Sequence, residues 1–80
     1  MADILIVDDH PSERERILWL LGSTGYQCHT VNRGQDAMEM LETRPIDAVL
    51  TELMLRDLSG LQVVERIRER YPKVATVLIT

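Results

Sequence analysis

The sequence predicts an α/β fold in which helices cover a parallel sheet. Short apolar runs alternate with helical patterns along the whole chain, in the order β-α-β-α-β-α-β, and such alternation is typical of parallel sheets with right-handed crossovers. The composition agrees, since 45% of the 80 residues are apolar and 28% are charged, as in a folded globular domain. A chain of this length forms one domain at most. We therefore expect one domain over residues 1–80.

The first half of the chain predicts two strands and two helices. Residues 4–7 form an apolar run rich in β-branched side chains, typical of a strand buried on both faces. A helix is predicted from residue 11 to residue 21, where a segment bounded by two glycines ends it. Residues 26–31 alternate as an edge strand does. Residues 34–43 space their apolar side chains as a helix does, and Pro45 follows.

The second half repeats the pattern. Residues 48–53 predict a second buried strand. In the following helix, residues 61–71, the apolar residues Leu61, Val64 and Ile67 recur at helical spacing, and a proline ends the helix. Residues 74–79 are a final apolar strand.

Charge and cysteine content limit the classes of partner and compartment. The net charge of −4 argues against nucleic acid and against an anionic membrane as a partner. The single cysteine, Cys28, excludes an intramolecular disulfide. Nothing resembles a signal peptide or a membrane-spanning run, so we expect a cytoplasmic protein. His10 and His29 have no cysteine at metal-ligand spacing, and both are predicted to be surface residues.

Three carboxylates follow the two buried strands. Asp8 and Asp9 come directly after the first, and Glu52 closes the apolar run of the second. Because ligands bind at the carboxyl ends of parallel strands, the three should gather at one edge of the sheet. Two unit charges about 4 Å apart repel by roughly 4 kcal/mol at an effective dielectric of about 20, so a cation site is predicted there. The alternatives are that the Asp pair caps the next helix and that Glu52 is a solvated residue at a strand end.

Four stretches of the chain together carry a family pattern. They are the opening Ile-Leu-Ile-Val-Asp-Asp-His-Pro, the segment Asp-Ala-Val-Leu-Thr-Glu-Leu-Met-Leu from residue 47, Gly-Leu before a helix ending Arg-Glu-Arg-Tyr-Pro, and the final Leu-Ile-Thr. With them the sequence resembles the receiver domain of bacterial response regulators. The resemblance implies a flavodoxin-like, three-layer fold whose parallel sheet keeps strand order 2-1-3-4. It also implies an incomplete domain over residues 1–80, without the family's last strand and last helices.

The resemblance implies roles for individual residues. Asp8 and Asp9 match the acidic pair that holds Mg2+, the backbone carbonyl of Met54 matches a further metal ligand, and Thr80 matches the switch hydroxyl that meets the phosphoryl oxygens. Glu52 falls where the family has its phosphoacceptor Asp, and as a carboxylate it can also help to hold the metal. Mg2+ prefers hard oxygen ligands and keeps several waters, so few carboxylates suffice.

The glutamate changes the expected function. Its extra methylene moves the carboxylate by about a bond length, and a misplacement of about 1 Å can cost roughly a hundredfold in rate. The only lysine, Lys73, precedes the last strand and so lies at the wrong end to bind a phosphoryl group. We therefore expect a two-component receiver module that acts through protein contact, independently of phosphorylation, with a weakened Mg2+ site and no enzymatic activity. A histidine kinase or another signalling protein is the expected partner.

Three other functions stay open. The chain could be the N-terminal piece of a conventional phosphoacceptor response regulator, or an inactive structural fragment. A Mg2+-dependent phosphoryl-transfer enzyme has the least support, because the sequence has no phosphate-cradling glycine-rich loop and no Ser/His/Asp set.

The first helix carries a predicted interface. If Ile17, Leu20 and Leu21 face the sheet, Trp19 lies about 160° to 200° away on a helical wheel, and Leu18 lies to the side. Aromatic residues are enriched in interface hot spots. The resemblance also implies that the flank of this helix and the edge of the final strand lack their usual cover, which predicts a homodimer or a domain-swapped assembly.

Overall fold

The predicted elements are all present in the computed structural model, which describes residues 2–79. Their bounds differ from the predicted ones by at most one residue. The strands are β1 (Asp3–Val7), β2 (Gln27–Val31), β3 (Ala48–Glu52) and β4 (Ala75–Ile79). The helices are α1 (Pro11–Gly22), α2 (Gly34–Thr43) and α3 (Gly60–Arg70).

The four strands form one parallel sheet in the order β2-β1-β3-β4. This confirms the predicted strand order and the edge position of β2. In the register of the sheet, Val7 at the end of β1 lies opposite Val31 of β2 and Thr51 of β3. The residues that follow β1 and those that end β3 therefore emerge side by side at the carboxyl edge.

The main core lies between the sheet and the helices α2 and α3. It consists of buried apolar side chains from β1, β3, both helices and the connection between α2 and β3, namely Leu5, Val7, Ala37, Met38, Leu41, Ile46, Val49, Val63 and Ile67. Alternate residues of a strand point to opposite faces, so Ile4 and Ile6, which are also buried, face the side of α1. The result is the predicted three-layer arrangement.

The opposite face is thinly covered. Helix α1 contacts β1 and β2, and it has no fully buried residue. Its half-buried apolar residues, Ile17 and Leu21, are one turn apart. The prediction that Leu20 faces the sheet is wrong, since Leu20 is 52% exposed. Val77 of β4 is also half exposed, because α1 covers β1 and β2 and does not reach β4 at the far edge of the sheet.

Helix α3 starts in close contact with the end of β3. The N–H of Gly60 donates to the carbonyl of Leu53 at 2.7 Å, and a Cβ at Gly60 would collide with the backbone carbonyl of Glu52. Only glycine allows this approach, which fixes the backbone that carries Glu52. The buried stripe of α3 contains Val63 and Ile67, whereas Leu61, predicted to lie on it, is exposed.

The amino edge of the sheet holds a second polar cluster. His29 Nε2 lies 3.1 Å from Asp3 Oδ1, and the N–H of Asp3 donates to Asp47 Oδ2 at 2.7 Å. The prediction that His29 is a surface residue is wrong, because its side chain is only 14% exposed. Its partner Asp3 is 26 residues away in sequence, so no local pattern indicates this burial.

Candidate functional site

Strands β1 and β3 bring acidic side chains together at the carboxyl edge. Asp8 follows β1, and Glu52 is the last residue of β3. One carboxylate oxygen each from Asp8, Asp9 and Glu52, and a ring nitrogen of His10, lie within 4.8 Å of one another. The three carboxylates that the sequence singles out therefore converge, and His10 joins them. Sequence reasoning missed His10, although its position directly after the acidic pair is the signal that could have found it.

Asp8 is the deepest member of this cluster. Its side chain is almost completely buried, and its Oδ1 accepts a hydrogen bond from the N–H of His10 at 2.8 Å. Its Oδ2 is buried with no hydrogen-bond partner among the described residues, and an unpaired buried carboxylate oxygen is costly. The helix-capping alternative loses its support, because the N-cap residue of α1 is His10. The orphaned oxygen instead indicates a ligand that the chain itself does not supply.

Glu52 is largely buried beside Asp8, which argues against a solvated strand end. Its side chain is 12% exposed, and its Oε2 accepts the N–H of Asp9 at 3.3 Å. Burial, followed by the neighbouring side chain of Asp8, raises the pKa of Glu52 to about 7, although the N–H of Asp9 acts in the opposite direction. A substantial fraction of Glu52 is therefore protonated at neutral pH in the absence of a cation.

His10 supplies part of the missing positive charge. Its Nδ1 lies 2.9 Å from Glu52 Oε1, 3.3 Å from Asp9 Oδ1 and 3.6 Å from Asp8 Oδ1. The negative charge of Glu52, with smaller contributions from Asp9 and Asp8, raises the pKa of His10, while desolvation acts the other way. The ring remains 63% exposed, as expected for a surface residue, so it can move aside when another cation enters.

The donor set fits Mg2+. Three carboxylates offer hard oxygen atoms, which Mg2+ prefers, and the unpaired Oδ2 of Asp8 has the chemistry of a metal ligand. Asp8, Asp9 and Glu52 are the residues that would hold the ion through their side chains.

The remaining predicted site residues lie in different places. Met54 is in the loop after β3, with its side chain exposed and its backbone in an isolated bridge to Ser59; its carbonyl as a metal ligand stays a prediction. The predicted switch residue Thr80 lies outside the described residues. Leu18 and Trp19 are on α1, well away from the acidic edge in sequence, and are 37% and 73% exposed.

Asp57 organises the loops of this edge, and sequence reasoning missed it. From the loop between β3 and α3, its Oδ1 accepts the N–H groups of Gly34 and Leu58 at 2.9 and 2.8 Å, and its Oδ2 accepts that of Gln35 at 2.9 Å. Partial burial raises the pKa of Asp57, but the hydrogen bonds from these backbone donors outweigh burial and lower the pKa below its ordinary value. One carboxylate thus ties the loop that follows Glu52 to the first turn of α2.

The family follows from a match over nearly the whole chain. Residues 4–80 match the response regulator receiver domain. The chain belongs to this family. The resemblance seen in the sequence is thereby confirmed, and this receiver domain has the flavodoxin-like fold of a module in two-component signalling.

Curated relatives of this receiver domain include sensor kinases and response regulators. Sensor histidine kinase RcsC of Salmonella typhimurium is 44% identical over 66 residues, which is 82% of this chain and 7% of that protein. Response regulator protein PilR of Pseudomonas aeruginosa is 37% identical over 76 residues, or 95% of this chain and 17% of that protein. The chain thus spans less than a fifth of either relative.

Solved receiver structures are closely similar. Response regulator protein TrrA of Thermotoga maritima, in complex with Mg2+-BeF, gives a TM-score of 0.94 at 31% identity over 98% of this chain and 68% of that one. TrrA in complex with histidine kinase ThkA gives a TM-score of 0.93 at 31% identity, over 100% of this chain and 69% of that one. In the described part of this receiver domain, no helix has the length and apolarity needed to cross a bilayer.

Proposed function

We propose that this receiver domain works through protein contact and does not depend on phosphorylation of Glu52. The observation that carries the proposal is the position and state of Glu52, which ends β3 among Asp8, Asp9 and His10. In the family pattern this is the position of the phosphoacceptor Asp. No enzymatic activity of its own is proposed.

Three properties make Glu52 a poor phosphoryl acceptor. Its longer side chain displaces the carboxylate, and a displacement of about 1 Å can cost roughly a hundredfold in rate. Its pKa of about 7 leaves much of it protonated at neutral pH, and a protonated carboxyl is not a nucleophile. Both of its oxygens are also engaged, Oε1 by His10 at 2.9 Å and Oε2 by the N–H of Asp9 at 3.3 Å.

We propose that the same pocket binds Mg2+ weakly, through Asp8, Asp9, Glu52 and the carbonyl of Met54. The unpaired buried Oδ2 of Asp8 supports binding. The weakness follows from competition, because a proton held by His10 or by Glu52 neutralises part of the charge that attracts the metal.

Phosphorylation with a small donor tests the proposal. With acetyl phosphate and Mg2+, intact-mass measurement should show the wild-type chain unmodified. Glu52→Asp, which shortens the side chain by one methylene, should acquire a phosphoryl group, while the matched control Glu13→Asp should not. Robust labelling of the wild type that Glu52→Ala abolishes would contradict the proposal. An unlabelled Glu52→Asp variant would contradict the assignment of this position as the phosphoacceptor equivalent.

We propose a histidine kinase or another signalling protein as the partner, and self-association through α1 as a homodimer or by exchange of a terminal element. Leu18, Trp19 and Leu20 form three consecutive exposed apolar residues on α1, and large aromatic side chains are typical anchors of interfaces. The complex of TrrA with ThkA supports a kinase partner by analogy. We also propose that residues 1–80 act as one receiver-like domain, incomplete relative to the family pattern, in the cytoplasm.

Self-association is tested by mass in solution. Sedimentation equilibrium over a dilution series should show dimers of the wild-type chain, and Trp19→Ala should shift the population to monomers. Leu61→Ala is the matched control, because Leu61 is also half exposed but lies on α3. A wild-type chain that is monomeric at every concentration would rule out the α1 interface.

A further inference from the structure

A small cavity beside the acidic cluster is lined by arginines, and we call it the arginine cavity. Its volume is about 220 Å3. Its lining residues are Asp9, Pro11, Arg14, Asn32, Arg33 and Arg56. The chain has only nine Lys and Arg residues and a net charge of −4, so three arginines among the lining residues of one cavity are a local concentration of positive charge.

One helix end adds to this charge. Pro11 is the first residue of α1, and the N-terminal end of a helix carries a partial positive charge that favours anions. The corresponding end of α2, whose N-cap residue is Arg33, contributes less, because Asp57 already accepts the N–H groups of Gly34 and Gln35.

The arginines keep donors available. Arg14 uses Nη1 to donate to the carbonyl of Asp8 at 2.9 Å, and Arg56 Nε lies 3.8 Å from Asp9 Oδ2. Among residues 2–79, Arg33 makes no ion pair and no side-chain hydrogen bond. Each guanidinium has five N–H donors in a planar fork, so most of them remain free. Asp9 is the one carboxylate among the lining residues.

The size of the cavity narrows the class of ligand. Pockets for drug-sized molecules measure about 300–1,000 Å3, and this cavity is smaller. A phosphate or pyrophosphate group is compact, multiply charged and rich in acceptor oxygens, and the arginine fork matches its geometry. A carboxylate would neutralise less of the charge of three arginines and the N-terminal end of α1.

We propose that the arginine cavity binds a phosphate or pyrophosphate group, either as a free ion or at the end of a nucleotide. Asp9 borders both this cavity and the acidic cluster, so a cation held by the cluster would lie next to the bound anion. Each should then strengthen binding of the other, and the coupling must be equal in both directions. Only this coupling rests on the Mg2+ site of the proposed function; the anion site itself does not.

Titrations in the presence of a metal chelator test the anion site alone. Pyrophosphate added at constant ionic strength should shift the amide NMR signals of Arg14, Arg33 and Arg56. Arg33→Ala should weaken pyrophosphate binding about tenfold or more, and Arg33→Lys should bind with intermediate affinity, because it keeps the charge but loses the fork. The matched control Arg44→Ala removes an arginine at the opposite end of α2 and should bind as the wild type does.

Two further titrations identify the source of the phosphate group and test its coupling to Mg2+. ADP that binds as tightly as pyrophosphate, with the same shifted residues, supports the nucleotide source, whereas binding of pyrophosphate alone supports the free ion. Inorganic phosphate titrated with and without Mg2+ should bind more tightly when the metal is present.

The inference is overturned if Arg33→Ala and Arg44→Ala weaken pyrophosphate binding equally, because the loss would then reflect the net charge of the chain and not the cavity. It is also overturned if the amide NMR signals that shift belong to residues away from the cavity. If Mg2+ fails to bind but pyrophosphate binding depends on Arg33, the metal proposal fails and the anion site stands.

Discussion

The two edges of the sheet carry the same types of residue in different states. At the amino edge, His29 lies beside Asp3, and the N–H of Asp3 donates to Asp47. At the carboxyl edge, one imidazole, that of His10, serves three carboxylates, and a buried oxygen of Asp8 has no partner among residues 2–79. Histidine and aspartate occur at both edges, so residue type alone does not distinguish them.

The difference shows what separates a structural cluster from a ligand site. At the amino edge, the polar groups of Asp3, His29 and Asp47 find hydrogen-bond partners within the chain. The carboxyl edge is left with excess negative charge and an unpaired buried acceptor, which folding alone does not compensate. This agrees with the rule that parallel α/β sheets bind ligands at their carboxyl ends.

The largest expected difference between the edges is their response to Mg2+. At about ten times its Kd, Mg2+ should raise the free energy of unfolding by about 1.4 kcal/mol, because only the folded chain assembles the cluster. Asp8→Asn should remove most of this increase, and Asp47→Asn, at the amino edge, should retain it. Urea denaturation with and without Mg2+ measures the effect. Equal increases in both variants would show that Mg2+ does not act at the carboxyl edge.

A smaller difference is expected in the dependence of stability on pH. The pKa of Glu52 is about 7 in the folded chain against an ordinary 4.5, so between these values the folded state binds more protons than the unfolded state. The contribution of Glu52 to the free energy of unfolding should therefore be present below about pH 4.5 and be lost as the pH rises through 7, by an amount on the order of 1 kcal/mol. The raised pKa of His10 acts in the same direction, because protonation is favoured in the folded state.

Denaturation in a metal chelator over the range from about pH 5 to about pH 8 checks this slope. Glu52→Gln should flatten it, whereas Asp47→Asn should leave it as steep as in the wild type. A slope that survives Glu52→Gln would assign the pH dependence to other groups.

The smallest expected effects come from the two histidines. His10→Asn in a metal chelator should lower the free energy of unfolding slightly, because it removes a positive charge from the carboxyl edge, and saturating Mg2+ should cancel this loss. His29→Asn should cost about 1 kcal/mol, typical of a single hydrogen bond, with and without Mg2+. Matched urea titrations of the two variants separate the edges. If the free-energy cost of His29→Asn changed on addition of Mg2+, the two edges would not be independent.

The sequence predicts the elements and the edge but not the contacts that complete the site. Periodicity identifies each strand and helix because burial imposes it locally, and the order of elements places Asp8 and Glu52 at one edge. The pairs that join distant segments leave no such pattern: Asp57 contacts Gly34 across 23 residues, and His29 contacts Asp3 across 26.

The wrong expectation for Leu20 has a related cause. Its hydrophobicity predicts burial, but burial requires an element that covers it, and α1 lies over β1 and β2. The spacing of apolar residues on one helix does not determine where that helix lies on the sheet. His10 was missed for a different reason, since an exposed side chain can still direct one nitrogen into a buried cluster.

The carboxylate of Asp57 couples two segments of this receiver domain in local unfolding. Because it holds the N–H groups of Gly34, Gln35 and Leu58 together, the first turn of α2 and the loop after β3 cannot open separately without losing hydrogen bonds of the same side chain. They should form one cooperative unit in native-state hydrogen exchange. Helix α1, which has no buried residue, should exchange its amide hydrogens faster, from a less stable unit. The acidic cluster then lies at the boundary between a slowly exchanging and a rapidly exchanging part of the chain.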